Sequence, residues 1–186
     1  PEAILFVEYY AESLEELMGK MEFLETRMQQ KGLGYAYVRA LSASDQANMW
    51  ALRKAGLGLL MGMKGDAKPT SGVEDICIPP VHLPEFVRRV QKSMLSHGVN
   101  ATYYGHCSVG VLHIRPVLNL KDPNGIKILR ALEEEMSDMA LEYGGAMSAE
   151  HGDGLARSEW IPKMFGLQIV RLFEQTKEAF DPNGLM

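Results

Sequence analysis

Long apolar runs are missing from this chain. No stretch approaches the roughly 18 uninterrupted apolar residues of a membrane span, so no helical span is expected in it. Cysteine is scarce: Cys77 and Cys107 are the two among 186 residues. Two thiols without a secretory signal pattern point to a reducing, cytoplasmic compartment and no disulfide framework. The two do not form a CxxC pair, so the chain is expected to carry no iron–sulfur cluster or zinc ribbon of its own. Basic residues are outnumbered, 19 against 24 acidic, for a formal net charge of −5. A nucleic-acid-binding face needs concentrated positive charge, and this balance argues against one.

What is present is ordinary for a globular chain: 46% hydrophobic and 23% charged residues. That supports a real core in a single domain. The sequence opens directly on a strand-like run at Pro1 and stops inside a turn-like Asp-Pro-Asn-Gly stretch. A fragment of a longer protein is therefore expected.

The apolar, aromatic run Ala3–Tyr10 predicts a strand. Ser13 and Glu16 form a capping box before Leu17, Met21, Leu24 and Met28 at helical spacing, and Gly32 stops that helix. Tyr35–Ala40 predicts a strand. Asp45–Leu57 predicts a helix capped by Ser44, and residues 58–72 read as a loop. The alternating Val73–Ile78 predicts a strand ended by Pro79 and Pro80. Leu83–Leu95 reads as a helix, Thr102–His106 and Val111–Arg115 as strands, and Ile126–Tyr143 as an amphipathic helix with Glu133–Glu135 on its wet side. A short strand Met147–Glu150 and a helix Glu159–Phe180, interrupted near Pro162 and Gly166, complete the chain. This order predicts an α+β fold: duplicated ferredoxin-like halves forming an antiparallel sheet with helices on one side.

His82 and His97 sit beside a proline and before a glycine and read as surface or capping residues. His106 and His113 are seven apart, an odd number that places them on opposite faces of one regular strand. The intervening Cys107–Gly110 can turn or bulge and aim both imidazoles at one spot. Glu150 and His151 precede Gly152-Asp153-Gly154, whose glycines permit irregular backbone close to a ligand. Two imidazoles and a carboxylate with an open position suit a catalytic zinc or manganese. Spacing alone leaves a hydrogen-bonded histidine cluster at a strand end as the alternative. Cys107 reads as a small buried filler, and Asp153 and Arg157 as groups that orient His151 or pair with each other.

The stretches Gly105-His106-x-x-x-Gly110-x-x-His113 and Glu150-His151-Gly152 resemble the GHxxxGxxH and EHG motifs of the C-terminal domain of FAD-linked oxidases. That family includes D-2-hydroxyglutarate dehydrogenase, the flavin subunit of glycolate oxidase and D-lactate dehydrogenases. Trp50-x-x-Arg53-Lys54, Glu74-Asp75-x-x-x-Pro79 and Phe180-Asp181-Pro182-x-Gly184-Leu185 agree in order. The wording of residues 65–80, 101–116 and 149–166 is most similar to large members that carry a further iron–sulfur domain.

The resemblance implies that His106, His113 and Glu150 bind a divalent metal, zinc or manganese, and that His151 is the base. It implies that Arg53 clamps the carboxylate of a small 2-hydroxy acid with help from Lys68. It implies FAD as hydride acceptor, held mainly by a flavin-binding domain outside these residues, and an iron–sulfur domain or subunit as partner. A place peripheral to the inner face of a membrane is compatible with it. Val109 and Val111 stand where many members have Asp and Asn. That departure feeds a second reading, a decayed ferredoxin-like scaffold linking flavin and iron–sulfur modules.

Overall fold

The computed structural model describes residues 3–186. It divides into two compact units, one up to Gly56 and one from Leu57.

The first unit contains α1 (Leu14–Gln30) and most of α2 (Ala43–Met61). Ser13 caps α1, its hydroxyl accepting from the Glu16 amide at 3.2 Å, and Gly32 with φ 64° ends it as expected. Ser42, not Ser44, caps α2, accepting from the Asp45 amide at 3.1 Å. α2 also runs past Leu57, because Leu59, Leu60 and Met61 continue helix-forming sequence across Gly58. The expected strands Ala3–Tyr10 and Tyr35–Ala40 have no ladder partner among the described residues and run as extended, unassigned chain. Their apolar residues stay exposed, with Ile4 at 58% and Val38 at 74%. The expected duplication therefore has a ladder only in the second unit.

The second unit is α+β with an antiparallel sheet. β1 (Lys68–Pro69), β2 (Ile76–Cys77) and β3 (Ala101–His106) all pair with the long central β4 (Val111–Leu118). Between β2 and β3 lies α3 (Leu83–Ser96), and after β4 comes α4 (Pro123–Glu142). Asp122 caps α4, with Pro123 at its first position, where the missing N–H costs nothing. A single turn α5 (Gly154–Arg157) leads to α6 (Ile161–Phe180), which Gly166 breaks with a non-helical φ of 78°.

Phe86, Val90 and Met94 recur at helical spacing on α3 and are fully or nearly fully buried with Leu132, Met136 and Met139 of α4. Leu112, Ile114 and Leu118 of β4 point into the same core. Alternation along β4 then sends His113 and Arg115 to the opposite face. The helices pack on the face that carries Leu112, Ile114 and Leu118, and His113 lies on the other. No helix among the described residues is long and apolar enough to cross a membrane.

Candidate active site

His106 closes β3 and His113 is the third residue of β4. His106 lies opposite Val111, and Tyr104 opposite His113. Residues opposite each other in an antiparallel pair share a face, as do residues two apart. Tyr104, His106, Val111 and His113 therefore lie on one face despite the odd spacing. Cys107–Val109 form a 3-10 turn, and Gly110, at φ 76°, closes it. A Cβ at Gly110 would stand 1.8 Å from the Ile78 carbonyl oxygen. The chain needs that closeness, because the Ile78 amide donates to the Gly110 carbonyl at 3.1 Å. Cys107 is exposed, not a buried filler, because the turn carries it away from the core.

The expected strand Met147–Glu150 does not form; Ala146 alone bridges to Cys77. The backbone beyond it bends around the fully buried carboxylate of Asp75. Asp75 accepts from the amides of Ala149 at 2.9 Å, Glu150 at 3.1 Å and His151 at 2.8 Å, and from the Ser148 hydroxyl at 2.9 Å. Burial pushes this carboxyl up; the donated hydrogen bonds and the nearby His151 outweigh it and hold the group below its ordinary value. The Glu150 and His151 amides spend their hydrogen bonds on this side chain, and the Ala149 amide divides its own between the side chain and the Asp75 carbonyl, so no ladder is made there.

This loop presents Glu150 and His151 to the hairpin. Glu150 Oε1 is 3.7 Å from His106 Nε2, and Oε2 is 3.7 Å from His113 Nε2. These separations are too long for hydrogen bonds. They are close to the roughly 3.4 Å that neighbouring ligand atoms keep around a tetrahedral ion bound at about 2.0–2.1 Å. All three ligand atoms lie within 4.8 Å of one another. His113 Nδ1 lies 2.7 Å from the Glu74 carbonyl. A carbonyl only accepts, so Nδ1 carries the proton and Nε2 keeps its lone pair for a ligand role.

His113 is buried, whereas the side chains of His106 and Glu150 are 37% and 44% exposed. One side of the cluster is therefore open to a substrate. The His113 ring lies between two others, stacked on Tyr104 at 5.3 Å and on His151 at 5.0 Å between centroids. His151 Nδ1 is 3.6 Å from Asp75 Oδ1. Asp75, His113 and His151 also come together closely enough for an ion. Four donors meet at Asp75 Oδ2, whereas Oδ1 takes only a 3.2 Å contact from the Glu150 amide and faces His151.

Glu74 and Arg157 form a buried ion pair at 3.0 Å behind the site. Burial raises the Glu74 carboxyl; the Gly72 amide, its own amide and Arg157 outweigh that and hold it below its ordinary value. Arg157 also donates to the Gly152 carbonyl at 2.5 Å. Of the two readings of Asp153 and Arg157, orienting His151 or pairing with each other, the pairing gives way to these contacts, because Glu74 lies inside the protein where Arg157 points. Sequence reasoning passed over Glu74 and Asp75 as chemistry. A signal was available: adjacent acids inside an apolar alternating run cannot both face water.

Lys68 lies on β1 opposite Leu118, five residues beyond His113 on β4 and so roughly 17 Å along the strand. It lines a cavity of about 420 Å³ with Thr70, Arg115 and Lys121, and its ammonium donates to the Met63 carbonyl. Arg53 belongs to the first unit, with its guanidinium 5.6 Å from the Trp50 ring centre.

Residues 1–186 match the family described as FAD linked oxidases, C-terminal domain. The chain belongs to this family. It is 33% identical to the D-2-hydroxyglutarate dehydrogenase of Escherichia coli (strain K12), over 93% of this chain and 17% of that enzyme. It is 23% identical to the mitochondrial D-lactate dehydrogenase [cytochrome] of Arabidopsis thaliana, over 82% of the chain and 27% of that protein. A glycolate oxidase subunit of Bacillus subtilis (strain 168) is 22% identical over 80% of the chain and 32% of its own length. The FAD-linked oxidase domain described here thus spans between about a sixth and a third of these relatives.

Proposed function

We propose that this chain is the metal- and substrate-binding domain of a flavin-dependent dehydrogenase that oxidises a D-2-hydroxy acid to the 2-oxo acid. The convergence of His106, His113 and Glu150 at ion-sized separations, with His151 beside them, carries this reading. The names of the relatives supply the substrate class.

His106 Nε2, His113 Nε2 and Glu150 would hold the divalent ion, zinc or manganese by donor chemistry. When bound, the metal would supply Lewis acidity to the substrate hydroxyl and FAD would supply the hydride acceptor. His151 takes the hydroxyl proton at Nε2, since its Nδ1 faces Asp75. Arg53 would bind a carboxylate of the substrate as a bidentate fork. Lys68, paired with Leu118 on the face away from His113, falls outside that role. A downstream iron–sulfur domain would carry the electrons onward. In this reading the protein is cytoplasmic, or peripheral to the inner face of a membrane.

A decayed scaffold would have no reason to keep His113 Nδ1 tied to Glu74 with Nε2 turned to the open side. The test is dye reduction by the intact FAD-loaded protein across a panel of D-2-hydroxy acids. At least one acid should support turnover, and His151→Asn should lower kcat by roughly 10²- to 10⁴-fold with the metal retained. No turnover with any acid would sink the proposal.

A further inference from the structure

We propose that Asp75 is a positioning residue that sets the metal ligand Glu150 and the base His151 in register. The inference rests on the proposed roles of those two residues.

Asp75 is fully buried and touches no reacting atom. Its carboxylate instead gathers three successive amides, of Ala149, Glu150 and His151, and the Ser148 hydroxyl. These donors come from a segment about 75 positions away in sequence. The Cys77–Ala146 bridge and the Arg157 bond to the Gly152 carbonyl hold its two ends, and the Ala149 amide also reaches the Asp75 carbonyl, but the Glu150 and His151 amides bond the Asp75 carboxylate. Three consecutive amides aimed at one anion force the backbone into a tight arc. The arc fixes where the Cβ atoms of Glu150 and His151 point. Glu150 then sits 3.7 Å from both histidine Nε2 atoms, and His151 stacks on His113.

The neighbouring residue serves the other half of the site. The Glu74 carbonyl accepts from His113 Nδ1 and so fixes the tautomer of the hairpin's ligand. One acidic dipeptide thus holds the hairpin and the loop in the same frame. Replacing Asp75 by Asn would keep the shape but remove the charge. One carbonyl oxygen remains to take the Oδ2 position, but a neutral oxygen accepts these four donors more weakly than a carboxylate does. Both Glu150 and His151 would then be held less tightly.

The experiment uses the intact FAD-loaded protein. Zinc affinity is measured by competition with a chromophoric chelator, and kcat is measured at saturating zinc. For Asp75→Asn we expect zinc affinity to fall by roughly 10- to 100-fold, as for outer partners of metal ligands. We also expect kcat to stay depressed at saturating zinc, because the base is displaced as well. Plain destabilisation would instead lower Tm and leave the folded fraction with wild-type affinity and kcat. That result overturns the proposal, as does a folded variant indistinguishable from wild type.

If Asp75→Asn does not fold, Ser148→Ala decides. It leaves the carboxylate and removes one donor. A loss of zinc affinity of about fivefold is expected, and unchanged affinity overturns the proposal. Wild type separates the two levels of failure. A wild-type protein that is neither loaded nor active refutes the site reading and this inference together. A loaded, active wild type with an equally loaded, active Asp75→Asn refutes the positioning role alone.

Discussion

His113 carries more constraints than any other side chain of the site. Its Nδ1 is held by a backbone carbonyl, its ring lies between Tyr104 and His151, and it is almost wholly buried. His106, Glu150 and His151 surround it with partly wet side chains. The four were legible in the sequence because imidazoles and a carboxylate beside glycines are unusual residue types in an unusual pattern. Asp75 was not, because its partners are backbone amides, and an amide has no letter of its own. Glu133 was misread for a related reason. It sits in an acidic run that suggests a solvated helix face, yet it is 6% exposed because its turn of α4 faces inward. Burial first, then the neighbouring Glu159 and Glu74, push its carboxyl above the ordinary value of 4.5. A raised folded value means the group favours folding below the unfolded value and costs stability as pH rises through the folded one. Glu133→Gln should therefore raise Tm at pH 7 and match wild type below about pH 4. Calorimetry at the two pH values checks this; a lower Tm at pH 7 would show that the charge is well accommodated.

At the scale of elements, the β3–β4 hairpin decides whether the two imidazoles share a face. The odd spacing is converted into a shared face by the 3-10 turn and the left-handed Gly110. The helices were readable from their period, and β3 and β4 from their residue types. β1 lies inside the stretch expected as a loop, and of the expected strand Val73–Ile78 only Ile76–Cys77 pairs, because residues 73–75 turn to bring Asp75 to the later loop. Three strand expectations failed because pairing is a property of two segments, not one. Ala3–Tyr10 and Tyr35–Ala40 have no ladder partner among the described residues, and Ala149 and Glu150 of the third segment give their amides to Asp75. Gly110→Ala tests the hairpin. A methyl there meets the Ile78 carbonyl and forces a left-handed backbone on a residue that resists it. The expected loss is about 3 kcal/mol, read by urea denaturation, with zinc binding weakened in parallel. A variant of unchanged stability would mean that the turn is not held as described.

At the scale of the whole molecule, the chain is a member of the FAD-linked oxidase C-terminal family whose residues meet at a metal-sized gap on the sheet face that carries His113. The family was legible from short motifs, whereas the gap's geometry depends on contacts between positions near 75, 106, 113 and 150 that only the fold supplies. The most direct test is anaerobic bleaching of the flavin by a D-2-hydroxy acid in the intact protein, before and after removal of its metal with a chelator. The account predicts that bleaching is lost on chelation and returns when zinc or manganese is restored. Bleaching at the same rate in protein shown to hold no metal would contradict it.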